Sequence, residues 1–224
     1  DKFRIRADDY GTADGNGHFN GTIDEVKIVN RSLSAAEIMA DYKKGAQALF
    51  GTSDGELPTS DPYTTGARWQ PGRFVENLSA ETAGDGGNVT LYLRFDEGGG
   101  LTANDTTDFQ HDGTLTSGPL FVNDSVGGTA LHFDGVNDYV SIPDSSYWDF
   151  DTADFSIEFW TKLNSHRHDI GGAGIMGQSP GGANNKWALF YNYSNAPKAF
   201  SFMHFTPSVE TIVIQADPDL VLNR

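Results

Sequence analysis

The stretch 130–160, ALHFDGVNDYVSIPDSSYWDFDTADFSIEFW, constrains the fold more than any other part of the chain. Its first half has an extended apolar run on each side of a tight polar turn at 134–138. In its second half, FSIEFW at 155–160, apolar and polar residues alternate. Apolar residues at every second position are typical of a half-buried strand, because successive side chains point to opposite faces of a sheet. The stretch therefore predicts strands rather than helices.

The rest of the chain repeats this pattern around one helical segment. Ser34 fits the N-cap of that helix, Glu37 completes a capping box, and Gly45 is placed to end it. Many short strands separated by turn signals predict an all-β antiparallel sandwich with one short helix. The other strand-like runs are 3–6, 18–29, 187–191, 200–205 and 211–214.

Several motifs resemble one known family. ALHFDGVNDYVSIPD followed by FSIEFW resembles a signature of the laminin-G-like branch of the concanavalin-A-like jelly rolls. LYLRFDEGGGLTANDTTDFQHDGTL, at 91–115, is similar to the first strand and loop of the family. FNGTIDEVKIVNRSLSAAEI, at 19–38, is similar to its closing strand and short helix. The resemblance covers about residues 1–45 and 90–224 and implies an antiparallel jelly-roll sandwich.

These motifs occur in inverted order, because the closing segment precedes the opening one. The predicted organisation is the C-terminal segment of one domain at 1–45, a linker at 46–89, and the N-terminal part of a second domain at 90–224. Two arrangements reconcile this order. The chain is a window of a tandem array, or the N-terminal segment supplies a closing strand to a sheet of its own chain or of a neighbour. Head-to-tail completion of that second kind produces open-ended fibres.

Charge and composition exclude several classes of partner. The chain has 15 Lys+Arg against 31 Asp+Glu, a net charge of −16, which argues against nucleic acid and anionic membranes. The chain has no cysteine, so no disulfide staples the fold. Asn-x-Ser/Thr sequons exceed the number expected from composition and predict an extracellular or cell-surface glycoprotein, although Asn-rich turns also generate them. They are Asn20, Asn30, Asn77, Asn88, Asn104, Asn123 and Asn192.

Acidic loops make a structural calcium ion the predicted cofactor, since calcium takes oxygen ligands. The resemblance implies that Asp24, in the closing strand, helps to hold it. The alternative for the 134–138 group is turn capping by Asx side chains. The acidic loop 8–16 is a weaker candidate, and HRHD at 166–169 has too few identifiable ligands for a transition metal. The predicted metal ligands are Asp24, Asp96, Asp134, Asn137 and Asp138, with Glu97 beside them.

Catalysis is not predicted. The chain contains no Gly-x-Ser-x-Gly, P-loop or HExxH motif. The carboxylates of IDEV, at 23–26, also lack the alternating acidic triplet of concanavalin-A-like glycosidases. Tyr147 and Trp148 lie in a loop and are the predicted ligand-binding rings, since aromatic faces stack on sugars, with core packing as the alternative.

The predicted function is structural and adhesive. The chain is expected to be an extracellular repeat domain of a surface filament or coat, built by strand complementation or by tandem domains, with copies of itself or neighbouring domains as partners. A carbohydrate-binding module of a secreted glycan-degrading enzyme is the alternative. A laminin-G adhesion module that binds a protein partner is a third possibility, because the fold hosts all three.

Overall fold

The structure is a computed structural model that describes residues 3–5, 18–50, 88–150, 152–164, 173–178, 186–191, 200–205 and 214–215. Within these residues the chain forms two antiparallel β-sheets and one α-helix. The predicted all-β sandwich is confirmed. The motifs 8–16 and 166–169, and residues 51–87 of the predicted linker, lie outside the described residues.

The elements follow the chain in this order: β1 Phe3–Ile5, β2 Asn20–Val29, α1 Ala35–Phe50, β3 Val89–Leu93, β4 Thr102–Ala103, β5 Gly113–Thr116, β6 Leu120–Val122, β7 Ala130–Asp134, β8 Tyr139–Ile142, a 3-10 turn Ser146–Trp148, β9 Ser156–Leu163, β10 Ala173–Gln178, β11 Lys186–Tyr191, β12 Phe200–Phe205 and β13 Ile214–Gln215.

Strands from both ends of the sequence mix in each sheet. The larger sheet has the order β13-β12-β11-β10-β1-β8-β5-β4. In the smaller sheet, β2 pairs with β3 and β7 along one edge and with β9 along the other, and β6 continues beyond β7. Each sheet therefore combines a strand of the N-terminal segment with strands from later in the described chain.

The N-terminal segment occupies interior positions in both sheets. β1 lies between β8 and β10, with Ile5 opposite Val140 on one side and Met176 on the other. β2 lies between β9 and the β3–β7 edge. The described strands of segments 1–45 and 90–224 therefore lie in the same two sheets.

The core lies between the sheets and is rich in aromatic rings. Phe3 of β1 packs between Trp148 and Trp187, with ring centroids 5.5 and 5.4 Å apart. Phe19, just before β2, packs edge-on against Phe133 of β7 at 5.9 Å. The N-terminal segment thus supplies central core residues as well as strands.

Helix α1 lies against the outer face of the smaller sheet. Its capping box is confirmed: Ser34 Oγ accepts a hydrogen bond from Glu37 N at 3.3 Å, and Glu37 Oε2 accepts one from Ser34 N at 2.8 Å. The predicted end at Gly45 is wrong, since the helix continues to Phe50. A glycine inside a helix costs only about 1 kcal/mol, and the following AQALF contains good helix formers. Tyr42 stacks on Trp160 of β9 with centroids 5.6 Å apart.

No helix among the described residues combines the length and apolar character needed to cross a membrane.

Candidate functional site

Asp24 is a buried carboxylate in the middle of β2. Only 3% of the residue is exposed. Its Oδ2 accepts a hydrogen bond from Val126 N at 2.8 Å, and its Oδ1 accepts one from Glu25 N at 3.0 Å. The β2–β9 register shifts between Asp24 and Lys27, and Glu25 has a φ of 52°. A bulge of this kind re-aims side chains, and here it accompanies a carboxylate directed at the 124–129 loop.

Asp96, three residues after the end of β3, meets the same loop. Its Oδ1 accepts a hydrogen bond from Thr129 N at 3.1 Å, while Thr129 Oγ1 donates to the Phe95 carbonyl at 2.5 Å. Gly128 has a φ of 76°, and a Cβ at that position would overlap Asp96 Oδ1. The loop therefore holds two carboxylates from distant parts of the chain, since Val126 contacts Asp24 and Thr129 contacts Asp96.

Burial makes both carboxyl groups poor acids. Desolvation raises the pKa of Asp24 to about 8; the Val126 N–H lowers it, and the charges of Glu25 and Asp96 raise it further. Desolvation also raises the pKa of Asp96, against the lowering effects of the Thr129 N–H and Arg94. We call Asp24 and Asp96 the acidic pair. The surroundings of the acidic pair disfavour its negative charge, so binding of a proton or a cation is favoured there.

Arg94 supplies part of the balancing positive charge. Its Nη2 lies 3.1 Å from Asp96 Oδ2, and its Nε lies 3.7 Å from Glu25 Oε1. Tyr92 also donates a hydrogen bond from its hydroxyl to Glu25 Oε2. The guanidinium therefore pairs with Asp96 and Glu25, while the hydrogen bonds described above for Asp24 come from backbone N–H groups.

The oxygen atoms of the acidic pair are the kind of ligand that a hard cation binds, but they are fewer than such a cation needs. Calcium takes six to eight oxygen ligands, from carboxylates and backbone carbonyls among others. Asp24 and Asp96 supply carboxylates, but the described residues contain no group of three or more His, Cys, Asp or Glu that could hold a metal ion. A calcium ion here would need carbonyl oxygens or water for most of its shell. Glu97 points elsewhere, since its Oε1 accepts a hydrogen bond from Asn104 N at 2.6 Å.

The other predicted ligands lie at a separate place and cap a turn. Asp134 Oδ1 accepts a hydrogen bond from Val136 N at 2.7 Å, and Asp138 Oδ2 accepts one from Asp134 N at 3.0 Å. Asp134 is opposite Asn20, four residues before Asp24 on β2, which corresponds to about 13 Å along a strand. The five predicted ligands are therefore not one site. Asn137 is exposed on the same turn.

Sequence reasoning did not identify Asp105, a fully buried carboxylate in the loop before β5. It accepts hydrogen bonds from the backbone N–H groups of Tyr92 at 3.0 Å, Thr107 at 3.1 Å and His111 at 2.8 Å. Thr107 Oγ1 adds a fourth at 2.7 Å. The Asp-x-Thr spacing of an Asx turn was the available signal. The saturation of this carboxylate by donors indicates that Asp105 organises the loop.

The two predicted ligand-binding rings, Tyr147 and Trp148, differ in exposure. Trp148 is fully buried and packs on Phe3, so it presents no face to a ligand and the structure does not support its predicted role. The 3-10 turn directs the Tyr147 ring outward and the Trp148 ring inward. Tyr147 is 39% exposed, and its ring lies 4.6 Å from that of Phe109 and 5.8 Å from that of His111.

The sequons differ in exposure. Asn30, Asn104 and Asn123 are exposed, whereas Asn20 is half-buried and its side-chain amide donates to the Asp134 carbonyl at 2.8 Å. Asn88 is half-buried and adjacent to Asn30, whose N–H donates to the Asn88 carbonyl at 2.9 Å. The remaining two, Asn77 and Asn192, lie outside the described residues.

Comparison with known proteins gives no relative: no family model, curated protein or solved structure matches this chain.

Proposed function

We propose that this chain is a structural and adhesive extracellular repeat domain of laminin-G-like type, which builds a surface filament or coat through strand complementation or tandem domains. The observation that carries the proposal is the interior position of β1 and β2 in the two sheets. If the segment that contains β1 and β2 inserted into the sheets of a neighbouring copy, it would join successive units of an assembly.

Strand exchange would reproduce contacts that the single chain already makes. β1 and β2 pair with β10, β8, β3, β7 and β9, and the same ladders form when residues 3–29 come from a neighbouring copy. Residues 51–87 lie between the donated segment and the strands that receive it. Exchange of an identical element in head-to-tail order generates open-ended assemblies.

Other features support an extracellular setting. The net charge of −16, the exposed sequons Asn30, Asn104 and Asn123, and the acidic pair are consistent with a glycosylated domain that binds calcium outside the cell. In this proposal a structural calcium ion at Asp24 and Asp96 would stiffen the junction between β2 and the 124–129 loop.

The connection between β2 and β3 provides the test. Asn30 and Asn88 are hydrogen-bonded neighbours, while α1 carries the chain away over 16 residues, which is about 24 Å. Deleting residues 51–87 leaves too short a connection for β3 to return to β2 of the same chain with α1 intact. We expect this variant to exchange strands between copies and form fibres visible by electron microscopy.

A second deletion serves as the matched control. Replacing residues 33–87 with an Asn-Gly turn removes α1 and lets β2 and β3 join as a direct hairpin. We expect this chain to remain a discrete particle. Discrete monomers from both variants, with helical circular dichroism retained in the first, would contradict assembly by strand exchange.

One observation favours a second function, that of a carbohydrate-binding module. Tyr147 is the exposed member of an aromatic group that includes Phe109 and His111. Exposed rings of this kind stack on sugar faces. Retention on a glycan array that is abolished by Tyr147→Ala, with unchanged thermal unfolding, would favour this function, and no retention of the parent chain would oppose it.

A further inference from the structure

Strand β9 has an open edge within the described part of the chain. It contains eight residues, Ser156–Leu163, and its only strand partner among the described residues is β2. An edge strand of this length presents a row of backbone donors and acceptors to any chain that can pair with them. β9 is therefore the most extended pairing surface that the described part of the smaller sheet offers.

The direction of its backbone groups follows from one hydrogen bond. Asn164 N donates to the Asn20 carbonyl at 3.1 Å, which makes these two residues a hydrogen-bonded pair across the β2–β9 ladder. Backbone groups alternate in direction along an antiparallel strand. Lys162, Trp160 and Glu158 therefore direct their N–H and C=O groups toward β2. Ile157, Phe159 and Thr161 direct theirs toward the open edge.

The two faces of β9 have different chemistry. On the inner face, Phe159 packs against Phe200 with ring centroids 6.1 Å apart. On the outer face, Glu158 forms an ion pair with Lys27 at 2.7 Å, and Lys162 forms one with Asp124 at 2.6 Å. Phe159 and Ile157 are only partly buried, so a further strand at this edge would cover more of their apolar surface.

We propose that β9 pairs antiparallel with β9 of a second copy of this chain, about a two-fold axis at Trp160. In this register Glu158 lies opposite the partner's Lys162, and Lys162 lies opposite the partner's Glu158. Ile157 faces the partner's Leu163 on the core side. The backbone groups of Ile157, Phe159 and Thr161 form the new ladder.

Charge complementarity selects this register over its neighbours. An axis at Glu158 places that residue opposite its own copy, and an axis at Lys162 does the same for the lysine. Like charges directly opposite each other destabilise a sheet, whereas opposite charges stabilise it. With the axis at Trp160, Lys27, Glu158, the partner's Lys162 and the partner's Asp124 form a row of alternating charge on the outer face.

The pairing is isologous and closed, so it joins two sandwiches through their smaller sheets. It does not depend on exchange of the N-terminal segment and therefore goes beyond the proposed function. In a chain of repeats it would cross-link neighbouring filaments side by side.

Sedimentation equilibrium of the intact chain over a range of concentrations tests this proposal. We expect a monomer–dimer equilibrium that Lys162→Glu and Glu158→Lys each weaken by roughly tenfold or more, because two attractive pairs become repulsive. An equimolar mixture of the two variants should dimerise again, since one chain then carries two acidic residues at these positions and the other carries two basic ones. Lys43→Glu, the same charge change on the exposed face of α1, should leave dimerisation unchanged.

Circular dichroism of each variant checks that the fold is retained. A monomeric parent chain at all concentrations, or a mixture of the two variants that stays monomeric, would overturn the proposal. Association that is equally strong in both variants would also overturn it and would indicate exchange of N-terminal strands instead.

Discussion

Two groups of carboxylates that look alike in the sequence behave differently in the structure. Asp134 and Asp138 belong to one turn and accept hydrogen bonds from backbone N–H groups of that turn. Asp24 in β2 and Asp96 after β3 are far apart in the chain and meet at the 124–129 loop. The hydrogen bonds to Asp134 and Asp138 come from within the turn, whereas the acidic pair of Asp24 and Asp96 meets a loop that is distant in sequence.

The two groups also differ in what is known of their protonation. In the turn, Asp134 is exposed and Asp138 is buried, and their carboxylates hold the turn backbone in place. At the acidic pair, desolvation raises the pKa of both Asp24 and Asp96. We therefore expect protons and cations to act on the acidic pair.

The largest expected effect is a dependence of stability on pH. Asp24 binds its proton more tightly in the folded chain, where its pKa is about 8, than at its ordinary value of 3.8. Its contribution is therefore fully present below about pH 4 and is lost as the pH rises toward 8. The slope is at most about 1.4 kcal/mol per pH unit. Urea unfolding at pH 5, 6, 7 and 8, with a chelator present, measures this loss.

A substitution tests this assignment in the same experiment. Asp24→Asn should flatten the pH dependence between pH 5 and 8 relative to the parent chain. An unchanged slope in Asp24→Asn would show that other groups control the stability.

Calcium should act in the opposite direction at the same place. A cation that binds the ionised acidic pair stabilises the fold by about 2.7 kcal/mol at a hundred times its dissociation constant. Thermal unfolding at pH 8, with calcium or with chelator, should show this increase in the parent chain and in Asp134→Asn. Asp24→Asn and Asp96→Asn should lose it. A calcium response that survives in those two variants would place the ion elsewhere.

Two glycines give a smaller and more local comparison. Gly128 beside the acidic pair has a φ of 76°, and Gly135 in the turn has a φ of 80°. Alanine at either position should cost about 1–2 kcal/mol from the left-handed backbone alone. Each substitution should cost more than this, because a Cβ at Gly128 would overlap Asp96 Oδ1 and one at Gly135 would lie 2.8 Å from Asn20 Cβ. Asp96→Ser should remove that extra cost in Gly128→Ala and not affect Gly135→Ala, as measured by a double-mutant cycle in urea.

The sequence predicted features that depend on near neighbours. Alternation identified the strands, and Ser34 and Glu37 identified the start of α1. Asp134 and Asp138 were correctly placed in a turn, with capping as one of two interpretations. The N-terminal segment was predicted as a closing strand, although its interior position in both sheets was not.

The features that were missed depend on contacts between distant residues. The contact of Val126 with Asp24 spans 102 positions, so no local pattern reports it. Trp148 and Tyr147 are adjacent in the loop, and only the packing of Phe3 shows which ring is buried. The end of α1 beyond Gly45 follows from the residues after the glycine, whose helix propensity outweighs its cost.

The capping box of α1 provides the smallest effect and a purely local reference for the comparison. Ser34→Ala removes the acceptor for the Glu37 N–H and should destabilise the fold by about 1 kcal/mol. The loss should be the same at pH 5 and pH 8, because a hydroxyl does not titrate there and Glu37, with its pKa lowered to about 2 by Arg31 and Ser34, stays ionised. Urea unfolding at both values measures it. A loss that varies with pH as strongly as that of Asp24→Asn would mean that the cap and the acidic pair are coupled through β2. In that case the distinction between groups held by sequence neighbours and groups held by distant residues would no longer apply to this sandwich.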